Sequence, residues 1–83
     1  MTFYFVAFSS RSSASVAYQR LCDMGIVCAL FSTPTSANVG CGLSIRFNPD
    51  SLPAVRKVCS QVTRYVGFFR GTRINQKIVV TRL

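Results

Sequence analysis

The sequence predicts an α+β domain with the element order β-α-β-β-α-β, and three observations lead there. Its 83 residues suffice for one hydrophobic core and not two, since a second domain needs roughly 50 residues or more of its own. Hydrophobic residues make up 49% of the chain, too many for intrinsic disorder. Two stretches with apolar residues at the three-to-four-residue spacing of a helix are each flanked by short strand-like apolar segments.

Phe3-Tyr4-Phe5-Val6-Ala7-Phe8 is aromatic and β-branched, which suits a strand. Ser9-Ser10-Arg11-Ser12-Ser13 offers several side-chain oxygens that can cap a helix start. Ala14, Ala17, Leu21 and Met24 follow at spacings of three and four, with Tyr18 beside them, and Gly25 fits the C-terminal stop of that helix. Ile26 to Phe31 is a short continuous apolar run, the pattern of a central strand rather than an edge. Ser32 to Gly42, rich in Ser, Thr, Pro, Asn and Gly, is a loop.

Leu43-Ser44-Ile45-Arg46-Phe47 alternates strictly and is the clearest strand in the chain. Asn48-Pro49-Asp50-Ser51 opens a second helix, in which Pro53 is tolerable because it lies in the first turn. Leu52, Val55, Val58 or Cys59, and Val62 form its apolar stripe, and Tyr65 to Phe69 reads as a fourth strand. Residues 1–70 thus make one α+β unit, and residues 71–83, basic around Ile78-Val79-Val80, make an edge strand or a tail. The economical arrangement of this order is a ferredoxin-like sandwich, one sheet with both helices on one face.

Ten Lys+Arg against two Asp+Glu give a net charge of +8, which favours polyanionic partners. His is absent, which removes Ser-His-Asp and Cys-His nucleophile systems and mixed Cys/His zinc sites. Asp23 and Asp50 would both be needed for any two-carboxylate acid/base pair. Cys22, Cys28, Cys41 and Cys59 match no zinc spacing and no CxxC redox motif, so neither a metal nor a cofactor is expected. The apolar fraction suffices for a core without a disulfide framework, which points to reduced thiols and a cytoplasmic location. The apolar N-terminus lacks a basic leader, and no apolar run reaches the ~18–20 residues of a membrane span. A carrier or binding protein is expected, not an enzyme.

The basic residues are scattered, so binding to nucleic acid is expected to be weak, salt-sensitive and without sequence preference. The first and last strands carry rings of both residue parities (Phe3, Tyr4, Phe5, Phe8, Tyr65, Phe68 and Phe69), and two helices cover only one side of a sheet. The rings left over predict a homodimer through the sheet, ahead of an RNA-binding face.

The segment richest in chemistry runs from Ser32 to Gly42, with Cys41 between Gly40 and Gly42 just before a strand. Glycines let consecutive amide N–H groups turn toward one point, and amides aimed at sulfur within a positive field favour thiolate over thiol. Arg46 is the nearest cation in sequence. The competing reading is a small residue in a tight turn that happens to be Cys.

The leading strand, the serine-rich helix start, the Gly25-Ile26 helix end and the loop from Thr33-Pro34 to Gly40-Cys41-Gly42-Leu43-Ser44-Ile45-Arg46-Phe47 together resemble the Se/S carrier protein-like family of small bacterial domains, over residues 3–70. The resemblance implies a sulfur or selenium carrier with Cys41 as the carrying thiol, working with sulfur- or selenium-transfer proteins. Ser32, Thr33 and Pro34 would shape the loop, and Gly40 and Gly42 would supply its amides. Members of the family commonly carry Arg after the loop proline; here that position is Thr35, which removes one expected thiolate partner.

Overall fold

Strand β1 (Thr2–Phe8) is apolar on both of its sides, and a strand of that kind is stable only where both sheet faces are covered. It takes the middle of a five-stranded sheet of order β2-β3-β1-β4-β5, formed with β2 (Cys28–Ser32), β3 (Leu43–Phe47), β4 (Tyr65–Ile74) and β5 (Lys77–Arg82). Every neighbouring pair is antiparallel, with Val6 opposite Ile45 on one side and Phe5 opposite Phe69 on the other. The computed structural model describes residues 2–33, 42–61 and 65–83.

The architecture is α+β, and of the two readings of residues 71–83 the structure shows the edge strand, so the sheet has five strands. Residues 77–82 pair with β4 through a two-residue turn and add a fifth strand. β4 itself runs ten residues, through position 70 and on to Ile74. β2 is an edge, not a central strand, because β3 inserts between it and β1. Its run of apolar residues reports hydrophobicity and not the number of paired neighbours: Leu30 is 37% exposed, and Val27 just before the strand 78%.

Helix α1 (Arg11–Asp23) starts at Ser10, whose hydroxyl accepts the Ser13 N–H at 3.3 Å. It stops in a Schellman arrangement: Ile26 N–H reaches Leu21 C=O at 3.0 Å and Gly25 N–H reaches Cys22 C=O at 3.0 Å, with Gly25 at φ +77°. Leu21 and Ile26 pack in the same cluster, the apolar contact that accompanies this stop. A short 3₁₀ turn (Pro49–Ser51) leads into α2 (Leu52–Ser60), which carries Pro53 in its first turn as expected. Val62, assigned to its stripe, lies outside the described residues.

Both helices lie on one face. Ala14, Ala17 and Leu21 of α1 and Val55, Val58 and Cys59 of α2 share one cluster with Val6, Phe8, Ile45, Phe47 and Phe68 of the sheet. Full burial of each larger member contributes about 1.5–3 kcal/mol.

The face without helices holds a second buried cluster, which residues of the C-terminal segment help to cover. Phe5 and Ala7 are fully buried there, with Phe69 at 3% and Phe3 at 7% exposure, and Phe31, Val66, Ile78 and Val80 pack around them. Phe5 stacks on Phe69 at 5.3 Å and meets Phe31 edge-on at 5.5 Å. Phe31 is on β2, two strands and about 10 Å from β1 in a flat sheet, so it leans inward across the small Ser44. Arg46 lies over the Phe3 ring at 4.7 Å and Arg82 over the Phe69 ring at 5.3 Å. Within one chain, Phe3, Phe5 and Phe69 are thus buried on this face, with Phe31 half-buried at its edge.

Two positions test this account. A Cβ on Gly71 would sit 2.7 Å from Phe3 Cζ, so Gly71→Ala pushes the ring from its place. Chemical denaturation should show a loss of about 1–3 kcal/mol, and Phe3→Leu in the same chain should make the double variant lose less than the sum of the two single changes. The β4–β5 turn holds Asn75 at φ +47° and Gln76 at φ +69°, and Gln76 stands where glycine is favoured. Gln76→Gly should raise stability by about 0.5–1 kcal/mol, read as a higher Tm.

Candidate functional site

The Ser32–Gly42 loop is tied at its base by a chain of polar contacts. Ser32 pairs with Leu43 in the last rung between β2 and β3. One residue on, the Gly42 carbonyl accepts both the Thr33 backbone N–H and the Thr33 hydroxyl, each at 3.1 Å. That uses the single proton of the Thr33 hydroxyl, so Ser44, 2.7 Å away, donates its own to Thr33 Oγ1. Ser44 is fully buried, and this bond meets the need of a polar group taken out of water.

The base is also pinned from below. A Cβ on Gly42 would overlap the carbonyl of Phe8, so only glycine fits where β3 begins against the end of β1. Ser10, two residues past Phe8, caps α1. The residue after Cys41 is therefore anchored at the junction between β1 and α1.

The structure thus brings together Thr33 and Gly42 of the predicted site, with Ser32 exposed beside them. Pro34, Gly40 and Cys41 lie outside the described residues. Arg46 lies on the sheet face away from the helices, and Cys41, the neighbour expected for it, lies outside the described residues. The alternation that sends Leu43, Ile45 and Phe47 toward the helices turns Ser44 and Arg46 to the opposite face, where Arg46 covers Phe3. Sequence reasoning missed Ser44. In an alternating strand a serine on the polar phase reads as solvent-facing, and here it is fully buried opposite Phe31 of the neighbouring strand.

Three other cysteines are free thiols. Cys59 is fully buried in the helix-side core, and burial lifts its thiol from 9.0 to about 11. Cys28, half-buried at the sheet edge, is also raised to about 11, by desolvation first and then by the neighbouring Cys22, with which it shares a hydrogen bond. Cys22 is exposed on α1, and a hydrogen bond with it raises the Tyr18 phenol above its ordinary value. Among the described residues, no three cysteine or acidic side chains gather as a metal site would need. No described helix is long and apolar enough to cross a membrane.

A sequence model of the family described as "Putative Se/S carrier protein-like" matches residues 3–66, from the first strand through both helices into β4. The chain belongs to this family. The match takes in the whole Ser32–Gly42 loop and the strand that follows it; β5 and most of β4 lie beyond it. No curated protein and no solved structure matches the chain.

The polar chain at the loop base can be tested by removing one link. Thr33→Val keeps the shape but leaves the buried Ser44 hydroxyl without its acceptor, at a cost of about 1–3 kcal/mol in equilibrium unfolding. Adding Ser44→Ala removes the orphaned group, so the double variant should be more stable than Thr33→Val alone.

Proposed function

We propose that this protein is a sulfur or selenium carrier that uses the Cys41 thiolate, on a ferredoxin-like frame to which β5 adds a fifth strand. The observation that carries the proposal is the family match over residues 3–66, which includes Gly40-Cys41-Gly42. Three features of the chain support it. The glycines on either side of Cys41 let amides approach a sulfur anion. A net charge of +8 favours the thiolate. The tied base at Thr33 and Gly42 holds the end of the loop on the rigid sheet.

The transfer is a thiol exchange in which no net oxidant is consumed. The Cys41 thiolate attacks the outer sulfur of a donor persulfide. A new S–S bond forms on Cys41, the donor S–S bond breaks, and the donor leaves as a thiolate. Passing the outer sulfur to an acceptor thiolate reverses the roles. Donor and acceptor are sulfur- or selenium-transfer proteins, and a reducing compartment such as the cytoplasm would keep the carrier thiol available for the exchange.

Protein isolated without reductant should contain a fraction about 32 Da heavier, one added sulfur, which dithiothreitol removes and Cys41→Ser abolishes. With limiting iodoacetamide at pH 7, peptide mapping should show Cys41 modified faster than Cys28 and Cys59. Thiols raised from 9.0 to about 11 hold about a hundredfold less thiolate than an ordinary one. Equal rates at the three positions, together with no adduct, would refute the carrier role.

A further inference from the structure

The sheet face away from the helices holds a groove of about 360 Å³ lined by Phe3, Ala29, Phe31, Arg46, Arg73 and Ile78. Its walls come from both edges of the sheet, with Phe31 on β2 and Ile78 on β5. Those strands are four spacings apart, about 19 Å if the sheet were flat, so the sheet curls and this face is concave. The volume falls in the range of small-molecule sites, about 300–1,000 Å³.

The chemistry of the lining is uneven in a useful way. Two guanidinium groups stand at the groove. The only two acidic side chains of the chain, Asp23 and Asp50, lie on the helical side of the sheet, at the end of α1 and in the turn before α2. The positive charge of this face is thus not offset by any acidic side chain of the strands. The floor is aromatic: Phe3 and Phe31 meet edge-to-face at 6.1 Å and 81°. Arg46 already covers Phe3, whereas Phe31 and Ile78 are half-buried and reach the groove from opposite edges. A ligand that fits has an anionic group for the guanidinium forks and a flat apolar body for the slot beside Phe31. Two guanidinium groups match a phosphate dianion better than a singly charged carboxylate.

We propose that this groove binds a nucleotide unit, with its phosphate between Arg46 and Arg73 and its base against Phe31. The unit is either a free 5′-mononucleotide or the 5′-phosphorylated end of a single strand, since both present the same phosphate monoester and base. The groove residues lie outside the Ser32–Gly42 loop, so nucleotide binding is measured without reference to Cys41 chemistry.

The test is isothermal titration of the full chain at low salt with 5′-AMP and 5′-UMP, the unphosphorylated nucleosides, inorganic phosphate and a 5′-phosphorylated five-nucleotide single strand. Nucleotides should bind at least about tenfold more tightly than either nucleosides or phosphate, because both halves of the ligand are held. Arg73→Gln should weaken nucleotide binding by about tenfold. Arg70→Gln, the same charge change on the other face of β4, should leave it within about twofold. Phe31→Leu should weaken nucleotides without changing phosphate binding. If the single strand binds more tightly than the mononucleotide and loses that advantage in Arg73→Gln, the unit is part of a strand; equal binding assigns it to the free nucleotide. Equal losses in Arg73→Gln and Arg70→Gln would mean bulk charge alone and would overturn the site, as would phosphate binding as tightly as nucleotide, or no binding at millimolar ligand.

Discussion

A central strand with large apolar residues on both sides forces this small chain to cover two sheet faces with only two helices. β1 sends Val6 and Phe8 to one side and Phe3, Phe5 and Ala7 to the other. The helices take the first side. On the second, the fold relies on curvature: the β4–β5 hairpin and the edge strand β2 bring Ile78, Val80 and Phe31 over the middle of the sheet. Side chains that would be surface residues on a flat sheet become a second core.

That second core sets the residue sizes around it. The far end of the Phe3 ring takes the space that a side chain at Gly71 would fill. A Cβ on Gly67 would come within 2.7 Å of Arg82 Nη2, so this glycine gives Arg82 room to reach over Phe69 and donate to the Val66 carbonyl at 3.0 Å. The arginine stems add apolar cover while their charged ends stay at the water boundary. A strongly basic composition and an aromatic core are therefore parts of one solution: arginines close the face that the helices leave open.

The same packing reaches the loop. Phe31 leans over Ser44, Ser44 loses its water, and its hydroxyl turns to Thr33, which holds Gly42. The base of the Cys41 loop is thus coupled to the aromatic core by three residues. The cysteines elsewhere are made poor nucleophiles by where they sit. Burial raises Cys59, and burial with the neighbouring Cys22 raises Cys28.

The sequence by itself determined the local elements and their order. The helix start among the serines, the stop at Gly25, the alternation of Leu43–Phe47, the prolines opening α2 and the burial of Cys59 all follow from residues within a turn or a few positions of one another. The glycine-flanked Cys41 and its family were legible for the same reason, being a local pattern. The tertiary structure alone decided what depends on partners far along the chain. It put the apolar run of β2 at an edge, drew residues 77–82 into the sheet, buried Ser44, and laid Arg46 over Phe3. Periodicity tells a residue which phase of its strand it occupies, but the order of strands and the curl of a sheet decide what lies above that phase. Those are set by contacts between residues tens of positions apart.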